Sequence, residues 1–458
     1  MQSIKSIFFI GVVLLSLILT SCTFDPKYVP KPHVELPLKW QAKNKQLDTT
    51  HCNTACIPWW QQFKDPALNN LIEKGLAHNN NIHMAVANIE AAQGELKRVQ
   101  WNWAPNLDSL LGYTSFPYFG YPGVIAVLLP TYTMNIFKQI KEQKRAKYEL
   151  KITQNMRDTV KLAVIAQISG SYFSYQAETE RLKLLKIIER DLSEKLNIHQ
   201  AMYHNSLSSD IVVARSKSRL ALILAEEKVV QQKKVVSQNM IRVLLNENPE
   251  NFSFPRRFSQ LNSHQIITGG LPLAVIKNRP DMQQAANELT AANAGIGAAV
   301  GNFLPTMQLS AARGDIGTVP YGTKLGMPVY FNQALSQSTI MPLSNFGEWD
   351  KRKGLGKAAY YKYLDTLRKV LRDVDDGLSA HEYYTERLDK TVHAKNNLKE
   401  VYQLNHALYQ EGIISYLRLL DEKIKLDRIK VRVNQRKLDQ LMTIVSLYQD
   451  LAVGYGCG

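Results

Sequence analysis

The feature that most constrains the fold is an apolar heptad stretch that occurs twice, 200 residues apart, with no gap between the aligned copies. In both copies, residues 82–103 and 282–303, the apolar positions follow a 3,4,3,4,3,4 spacing, and a proline comes two residues later, at Pro105 and Pro305. This spacing is typical of helices that coil around neighbouring helices. Two unrelated amphipathic helices could share it, but the common proline and the similar segments that follow favour an internal duplication.

The start of the chain is typical of a bacterial lipoprotein signal. After Lys5, the apolar run 7–19 is too short to cross a bilayer as a helix. The run ends in Leu-Thr-Ser-Cys, which resembles the lipobox, so we expect residues 1–21 to be removed and a lipid to be attached to Cys22. An ordinary signal peptide with a chance cysteine is the alternative. Thr23 is not the Asp that retains lipoproteins in the inner membrane, which favours an anchor in the outer membrane.

Three cysteines remain in the mature chain. In the oxidising periplasm, a disulfide between Cys52 and Cys56 would close a small loop, while Cys457 has no evident partner. Thiols without a role in function, free or locally paired, are the favoured interpretation. A single C-x3-C spacing without a second cysteine pair or a histidine cluster is a poor zinc site, so no metal site is predicted.

Composition limits the classes of partner. The net charge of +16 comes mostly from Lys and Arg on helix-like segments such as 423–437. A basic cytosolic protein would suggest nucleic acid, but on an exported chain solvated helix faces are favoured, and we expect no nucleic-acid partner. No apolar run beyond residue 20 approaches the length of a membrane helix. A mature chain that crosses the membrane would have to use β-strands closed into a barrel.

Signatures of catalysis are weak. Residues 295–301 resemble a dinucleotide fingerprint, but the third glycine is one residue late and the segment lies in a heptad helix, so close helix packing is the favoured explanation. The chain contains no G-x-S-x-G, H-E-x-x-H or P-loop motif. We therefore expect no enzyme activity and no cofactor apart from the lipid on Cys22.

The two halves of the chain have the same predicted order of elements: helix, β-hairpin, long helix, tight break, helix. The long helices would run from Phe137 to Ser206 and from Phe346 to Gly412. Each would be roughly 100 Å long and would need neighbours along its whole length. The predicted segments are a signal peptide at 1–21, an extended anchored segment at 22–64, a first repeat at 65–250 with its hairpin at about 107–137, a linker at 251–275, and a second repeat at 276–458 with its hairpin at about 307–346.

Several short motifs resemble one family when taken in order. With the lipobox, they are similar to motifs of the outer-membrane efflux proteins (the TolC-like family), in its acylated branch, which form the exit ducts of tripartite pumps. Individually the motifs are weak, but their order and spacing along nearly all of the mature chain are specific. They occupy residues 25–30, 59–68, 279–282, 342–347 and 409–421.

The resemblance implies a mainly helical fold with a β part. In that fold, three copies of the chain would form a homotrimer with a shared 12-strand β-barrel in the outer membrane and a coiled-coil helical tunnel through the periplasm. The partners would be a periplasmic adaptor protein, an inner-membrane transporter of the resistance-nodulation-division type, and outer-membrane lipid. The duct itself would catalyse nothing.

The resemblance also implies roles for the periplasmic tips of the helices. Leu417 and Asp421, with Arg418 beside them, match the positions that close the lumen, where threefold symmetry would make an apolar ring and an acidic ring. The acidic ring would form pairs between subunits or bind cations. Ordinary heptad and surface residues are the alternative interpretation of this set. The tip turns that would meet the adaptor are Asn205, Ser206 and Leu207 in the first half and Glu411, Gly412 and Ile413 in the second.

The chain departs from the family pattern at two positions. Ser206 replaces the usual glycine of the first tip turn, and Lys138 replaces the glycine that usually follows Phe137. These changes bear on the fit of the adaptor and on the path from strand to helix. The competing hypothesis for the whole chain is a lipid-anchored coiled-coil structural lipoprotein of the periplasm that does not span the membrane.

Overall fold

The computed structural model describes Val29 and residues 54–118, 121–248, 254, 258–261, 272–318, 325–337 and 343–456. The signal segment 1–21, Cys22, Cys52 and Cys457 lie outside the described residues, so the acylation and the disulfide stay predictions. The thiol of Cys56 lies 3.8 Å from the carbonyl oxygen of Gly456.

The order of elements confirms the predicted two-repeat fold, except that two helices, rather than one, precede each hairpin. A long helix, a short turn and a final helix follow each hairpin. The first half consists of α1 (Pro66–His78), α2 (Asn80–Trp101), β1 (Asn106–Tyr118), β2 (Tyr121–Met134), α3 (Ile136–His204) and α4 (Asp210–Leu245). The second half consists of α5 (Pro272–Asn278), α6 (Pro280–Gly301), β3 (Thr306–Thr318), β4 (Leu325–Gln337), α7 (Leu343–Gln410) and α8 (Tyr416–Asp450).

The first helix begins where local chemistry predicts. The side chain of Asp65 accepts a hydrogen bond of 3.0 Å from the backbone N–H of Ala67, and Pro66 occupies the first helical position, where its missing N–H costs nothing. The second carboxylate oxygen of Asp65 accepts a hydrogen bond of 2.6 Å from the hydroxyl of Tyr172 on α3. One buried carboxylate therefore caps α1 and fixes it to the long helix.

The four strands form one antiparallel sheet in the order β1-β2-β3-β4, so the two hairpins pair with each other through β2 and β3. The register places Leu128, Arg313 and Tyr330 side by side on one face. Leu110 and Val127 are paired on the opposite face. Side chains alternate between the faces of a sheet, so the charged Arg313 is separated from the apolar pair. Within the described residues, β1 and β4 are edge strands with one pairing partner each.

The residues form two compact units, each drawn from both halves of the chain. The sheet unit comprises Val29, 87–155 and 283–366, and the helical unit comprises the described residues of 35–86, 156–282 and 367–458.

In the sheet unit, the duplicated residues Asn102 and Asn302 have the same role. The carbonyl oxygen of Asn102 accepts a hydrogen bond of 3.0 Å from the amide of Gln139 on α3. The carbonyl oxygen of Asn302 accepts one of 2.8 Å from the amide of Asn345 on α7. In each half, the start of the long helix is therefore fastened to the end of the helix that precedes the strands.

The departure at Lys138 is accommodated in the same unit. The side chain of Asn135 caps α3 by accepting a hydrogen bond of 3.0 Å from the backbone N–H of Lys138. A Cβ atom on Gly301 would lie 2.9 Å from the Cα atom of Lys138, so glycine is needed at the end of α6. Close helix packing, rather than nucleotide binding, accounts for this glycine of the 295–301 segment.

The core of the helical unit is aromatic. The ring of Trp59 stacks on that of Tyr448 at the end of α8, with 4.6 Å between centroids. Phe63 meets Phe173 on α3 edge to face at 5.0 Å. All four residues are buried, and such pairs add to the burial of large apolar areas. Trp59 and Phe63 thus join the segment before α1 to α8 and α3.

A second apolar cluster of the helical unit lies nearer the tip turns. It joins α3, α4 and α8, and its buried members are Leu185, Ile188, Leu192, Ile223, Val230, Leu420 and Ile424. Within the described ranges, no helix combines the length and the apolarity needed to cross a bilayer.

Candidate functional site: the tips of the long helices

The two tip turns have the same backbone hydrogen bonds. In the first, the N–H of Leu207 donates to the carbonyl oxygen of Met202 at 2.7 Å. In the second, the N–H of Ile413 donates to the carbonyl oxygen of Leu408 at 2.9 Å. Each bond spans five residues and closes the end of a long helix as in a Schellman motif, which requires a left-handed residue just before the donor.

That left-handed residue is Ser206 in the first turn and Gly412 in the second. Their φ angles are 60° and 71°, so the serine adopts the backbone conformation of the glycine that it replaces. A side chain in this conformation costs about 1 kcal/mol because Cβ crowds the following carbonyl oxygen. The departure at Ser206 therefore changes the stability of the turn, while its path is kept.

The predicted constriction residues lie in the first two turns of α8. Ser415 caps the helix by accepting a hydrogen bond of 3.4 Å from the backbone N–H of Arg418. Leu417 is half-buried, Arg418 is exposed, and the side chain of Asp421 is 45% exposed. Leu417 and Asp421 are four residues apart and lie on one face of the helix, as the sequence predicts.

The carboxylate of Asp421 has a partner inside the chain. It accepts a short hydrogen bond from the ammonium group of Lys195 on α3, which is only 7% exposed. The two residues are 226 positions apart, so no local pattern could have predicted the pair. The carboxylate of Asp421 is thus neutralised by a buried lysine of its own chain.

A second contact between α3 and α8 lies at the first residue of α8. The hydroxyl of Tyr416 donates a hydrogen bond of 2.7 Å to the carboxylate of Glu194. This bond, followed by partial burial, raises the pKa of Tyr416 to about 12, so the phenol stays a donor at physiological pH.

A third contact is an ion pair with a deeply buried acid. The ammonium group of Lys423 lies 2.8 Å from the carboxylate of Asp191, whose side chain is 1% exposed. Arg190 is 3.7 Å from the same carboxylate. A buried carboxylate without a cation would be costly, so Lys423 is a structural requirement of this end of α8. The three pairs, Lys195–Asp421, Glu194–Tyr416 and Asp191–Lys423, are called the tip latch below.

His199 lies one helical turn from Lys195 on α3. Its Nδ1 atom is 2.7 Å from the hydroxyl oxygen of Ser216 on α4. Burial, and then the positive charge of Lys195, lower the pKa of His199 despite the opposite effect of Asp421. The imidazole is therefore neutral at pH 7, and it adds no positive charge beside the latch.

The first half has no counterpart of the latch at the matching positions of α4. An offset of 206 residues superposes Ser206 on Gly412, Ile211 on Leu417 and Arg215 on Asp421. Ile211 is 64% exposed, and Arg215 is exposed and forms no ion pair among the described residues. The two halves therefore differ in the surroundings of these matching positions.

Groups of three or more His, Cys, Asp or Glu side chains that could hold a metal ion are not found in the described part of the chain.

The fold and the tips define a class of protein: a two-repeat chain with a four-stranded sheet, two long helical hairpins and a polar latch beside the last tip turn. The model of the family "Outer membrane efflux protein" matches residues 271–453. The resemblance inferred from the motifs is confirmed by this match. The description of this family model refers to the outer membrane, in agreement with the location predicted from the sequence.

Relatives match along the whole chain. The "Solvent efflux pump outer membrane protein SrpC" of Pseudomonas putida is 26% identical over 473 residues, which cover 96% of this chain and 97% of the relative. The "Toluene efflux pump outer membrane protein TtgC" of the same species is 26% identical over 97% of this chain and 95% of its own length.

Solved channels have the same fold. The open state of the MtrE outer membrane channel of Neisseria gonorrhoeae superposes with a TM-score of 0.83 and 21% identity, covering 95% of this chain and 99% of the channel. The CmeC outer membrane channel of Campylobacter jejuni superposes with a TM-score of 0.80 and 17% identity, covering 94% of this chain and 95% of its own.

Proposed function

We propose that this chain is the outer-membrane exit duct of a tripartite efflux system and works as a homotrimer. The observation that carries the proposal is the match of the complete fold to outer membrane channels, since 99% of the MtrE channel is covered. A duct moves cargo through a water-filled lumen, and it needs a closure and a way to assemble. No catalytic residue has a part in this account.

The edges of the sheet support a trimer. β1 and β4 each lack a second partner within the described residues, and a long unpaired edge is a template for pairing with a strand of another chain. Three chains that each supply four strands would close a barrel of twelve, with every edge paired. The exposed apolar side chains Leu107, Leu111 and Tyr113 of β1 would then lie within that shared structure.

A stripe along α4 supports the same assembly. Leu222, Val229, Val236 and Val243 are spaced by seven residues, and each is more than half exposed. A heptad stripe that finds no partner in its own chain is suited to packing against a helix of another copy. The stripe faces away from the apolar cluster that α4 shares with α3 and α8, so both faces of α4 would be used.

The tip turns support a periplasmic adaptor as partner. Leu207 and Ile413 occupy matching positions of the two turns and are 72% and 67% exposed. Both therefore present an apolar side chain at the end of a long helical hairpin, where a hairpin of the adaptor would dock. The names of the P. putida relatives place those proteins in efflux pumps, and an inner-membrane transporter of the resistance-nodulation-division type would supply the energy here. The lipid on Cys22 would hold the duct at the inner leaflet of the outer membrane.

Channel recordings and surface labelling test the proposal together. The purified protein, inserted into planar bilayers, is expected to give discrete conductance steps. On intact cells that lack the other cysteines (Cys52, Cys56 and Cys457 replaced by Ser), a membrane-impermeant maleimide is expected to label Gly120→Cys, between β1 and β2. The matched variant Asn205→Cys, in the first tip turn, should react only after the outer membrane is permeabilised.

The periplasmic scaffold is the alternative that these measurements can establish. Equal protection of both cysteines on intact cells would reject the duct if the bilayers also stay silent, after confirmed insertion, with both the wild type and Asp421→Ala.

A further inference from the structure

A basic groove runs between α7 and α8 in the helical unit, away from the tip latch. It encloses about 560 Å³, a volume in the range of small-molecule sites. Four cationic side chains line it, and Glu386 is the single acid among its lining residues. The cations are Arg387, Lys390, Arg432 and Arg436. This surface is called the α7–α8 groove below.

Two of the four cations are neutralised within the chain, and two are not. Arg436 and Arg387 lie 3.0 Å and 3.8 Å from the same carboxylate, that of Asp439. In the part of the chain that the structure describes, Lys390 and Arg432 form no ion pair. The groove thus holds two cations that an incoming anion could neutralise.

The positive charge continues on the other side of Arg432. A neighbouring cavity of about 270 Å³ shares Arg432 and Arg436 with the groove and adds Arg428. Arg428, Arg432 and Arg436 are spaced by four residues on α8, so like charges stack along one face. Such pairs destabilise a helix when nothing neutralises them. The chain tolerates this repulsion at a place where a solvent-accessible cavity is present.

Apolar surface lies beside the cations. Tyr383 lines the groove with a ring that is 68% exposed, and Ile429 contributes a side chain that is largely buried in its wall. A guanidinium group pairs with carboxylate oxygens through parallel N–H groups and also stacks on flat rings. The combination suits a ligand that has both a negative group and an aromatic ring.

We propose that the α7–α8 groove is a binding site for aromatic organic anions. Arg432 and Lys390 hold the anionic group, and Tyr383 and Ile429 contact the ring. Arg436 and Arg387, tied to Asp439, form the basic wall behind it. The site accounts for part of the basic 423–437 segment, for which the sequence alone favoured an unspecific solvated face.

The position of Arg432 connects the groove to the path of cargo, a step that rests on the proposed function. Arg432 follows Asp421 by about three full helical turns, so both lie on the same face of α8. If Asp421 borders the lumen, Arg432 borders it farther from the tip. The groove is then a station for anionic cargo inside the duct.

Equilibrium dialysis with radiolabelled probes tests the site. The full-length protein in lipid nanodiscs is dialysed against 2-naphthoate and against the neutral 2-naphthalenemethanol, with empty nanodiscs subtracted. The wild-type protein is expected to bind naphthoate at least about ten-fold more tightly than the alcohol, because only the acid can form charge-assisted hydrogen bonds. Arg432→Gln is expected to weaken naphthoate binding by about ten-fold and to leave the weak binding of the alcohol unchanged. Arg368→Gln removes an exposed arginine of α7 outside the groove and should have no effect.

The outcomes distinguish a failure of the anion site from a failure of the proposed duct function. Naphthoate binding that is absent, that equals binding of the alcohol, or that survives Arg432→Gln overturns the site, even if the protein conducts ions as a duct. If the wild type does not bind naphthoate and Arg432→Gln also has a lower melting temperature than the wild type, Arg432 would be assigned to a contact with a second copy. This outcome also overturns the site. Naphthoate binding that depends on Arg432 in a protein without conductance would uphold the site and reject the duct.

Discussion

The two tip turns share a backbone and differ in what surrounds them. Ser206 and Gly412 have nearly the same φ angle and end matching Schellman motifs. Ile211, Arg215 and Lys217 on α4 are exposed. In the second half, by contrast, Tyr416, Asp421 and Lys423 on α8 are latched to α3. The two turns therefore have the same geometry, while the latch to α3 is found at the matching positions of the second tip only, among the described residues.

The difference between the two tips follows from the contacts that α3 makes with α4 and α8. The apolar face of α3 packs against both α4 and α8 in one cluster. Near the tips, its charged residues Asp191, Glu194 and Lys195 contact α8. The ion pair of α3 with α4, between Arg181 and Glu226, lies farther from the tips. Apolar contacts tolerate small shifts, whereas ion pairs with a buried member hold a helix in one position. The second tip is thus the one whose release would require specific bonds to break.

The largest effect is expected from Lys423→Ala in the latch. Removal of this lysine leaves the carboxylate of Asp191 buried with only Arg190 near it, which should lower the free energy of unfolding by about 3 kcal/mol. The matched change is Lys217→Ala, because Lys217 is the counterpart of Lys423 at the 206-residue offset and is exposed. It should cost no more than about 0.5 kcal/mol. Thermal unfolding followed by circular dichroism compares the two, and equal losses would remove the asymmetry between the halves.

A smaller effect is expected in the pH dependence of stability, from Asp450 at the C-terminal end of α8. Burial raises the pKa of Asp450 from 3.8 to about 6 despite the nearby Arg279, whereas its counterpart in the first half is the buried Leu244. The protonated form is favoured by folding, so its stabilisation is complete below about pH 3.8 and is lost as the pH rises through about 6.

Asp450→Asn cannot ionise and should therefore stabilise the protein above pH 6, by on the order of 1 kcal/mol after allowance for partial exposure. The gain should vanish near pH 4. Melting temperatures measured from pH 4 to pH 8 give the difference between variant and wild type, and a constant difference would show that Asp450 does not titrate in this range.

The smallest effects are expected at the turns themselves. Nothing lies within 4 Å of a Cβ atom built on Gly412, so Gly412→Ala should cost only the left-handed backbone, about 1 kcal/mol. Ser206→Gly should have the opposite sign and gain about 0.5 kcal/mol, because the gain is partly offset by the greater freedom of glycine in the unfolded chain. Chemical denaturation resolves changes of this size, and a loss at Ser206→Gly would mean that the serine side chain stabilises its turn.

The sequence predicts the architecture well because local rules determine most of it. Heptads, proline stops and the Asp65-Pro66 cap each involve residues a few positions apart, and they predict the hairpins and the long helices. The break at Asn79, which divides the first predicted helix into α1 and α2, is not predicted. Burial also follows the heptad spacing, although Trp103, the last residue of the first heptad stretch, is 38% exposed. The positions of Leu417 and Asp421 on one helix face could be predicted for the same reason.

The partners of those residues could not be predicted. Lys195 is 226 residues from Asp421, and Asp191 is 232 residues from Lys423. Each pair depends on how α3 and α8 are placed side by side, which heptad spacing does not specify. The pairing of β2 with β3, which unites the hairpins in one sheet, is non-local in the same sense.

The resting conductance of Asp421→Ala beside that of Arg215→Ala tests the central claim most directly. The two residues occupy matching positions, but only Asp421 belongs to the latch. The account predicts that Asp421→Ala opens the resting channel in planar bilayers and raises its conductance well above the wild-type level, while Arg215→Ala leaves it unchanged. Equal conductance of both variants, or an increase only for Arg215→Ala, would contradict the assignment of the second tip as the closure.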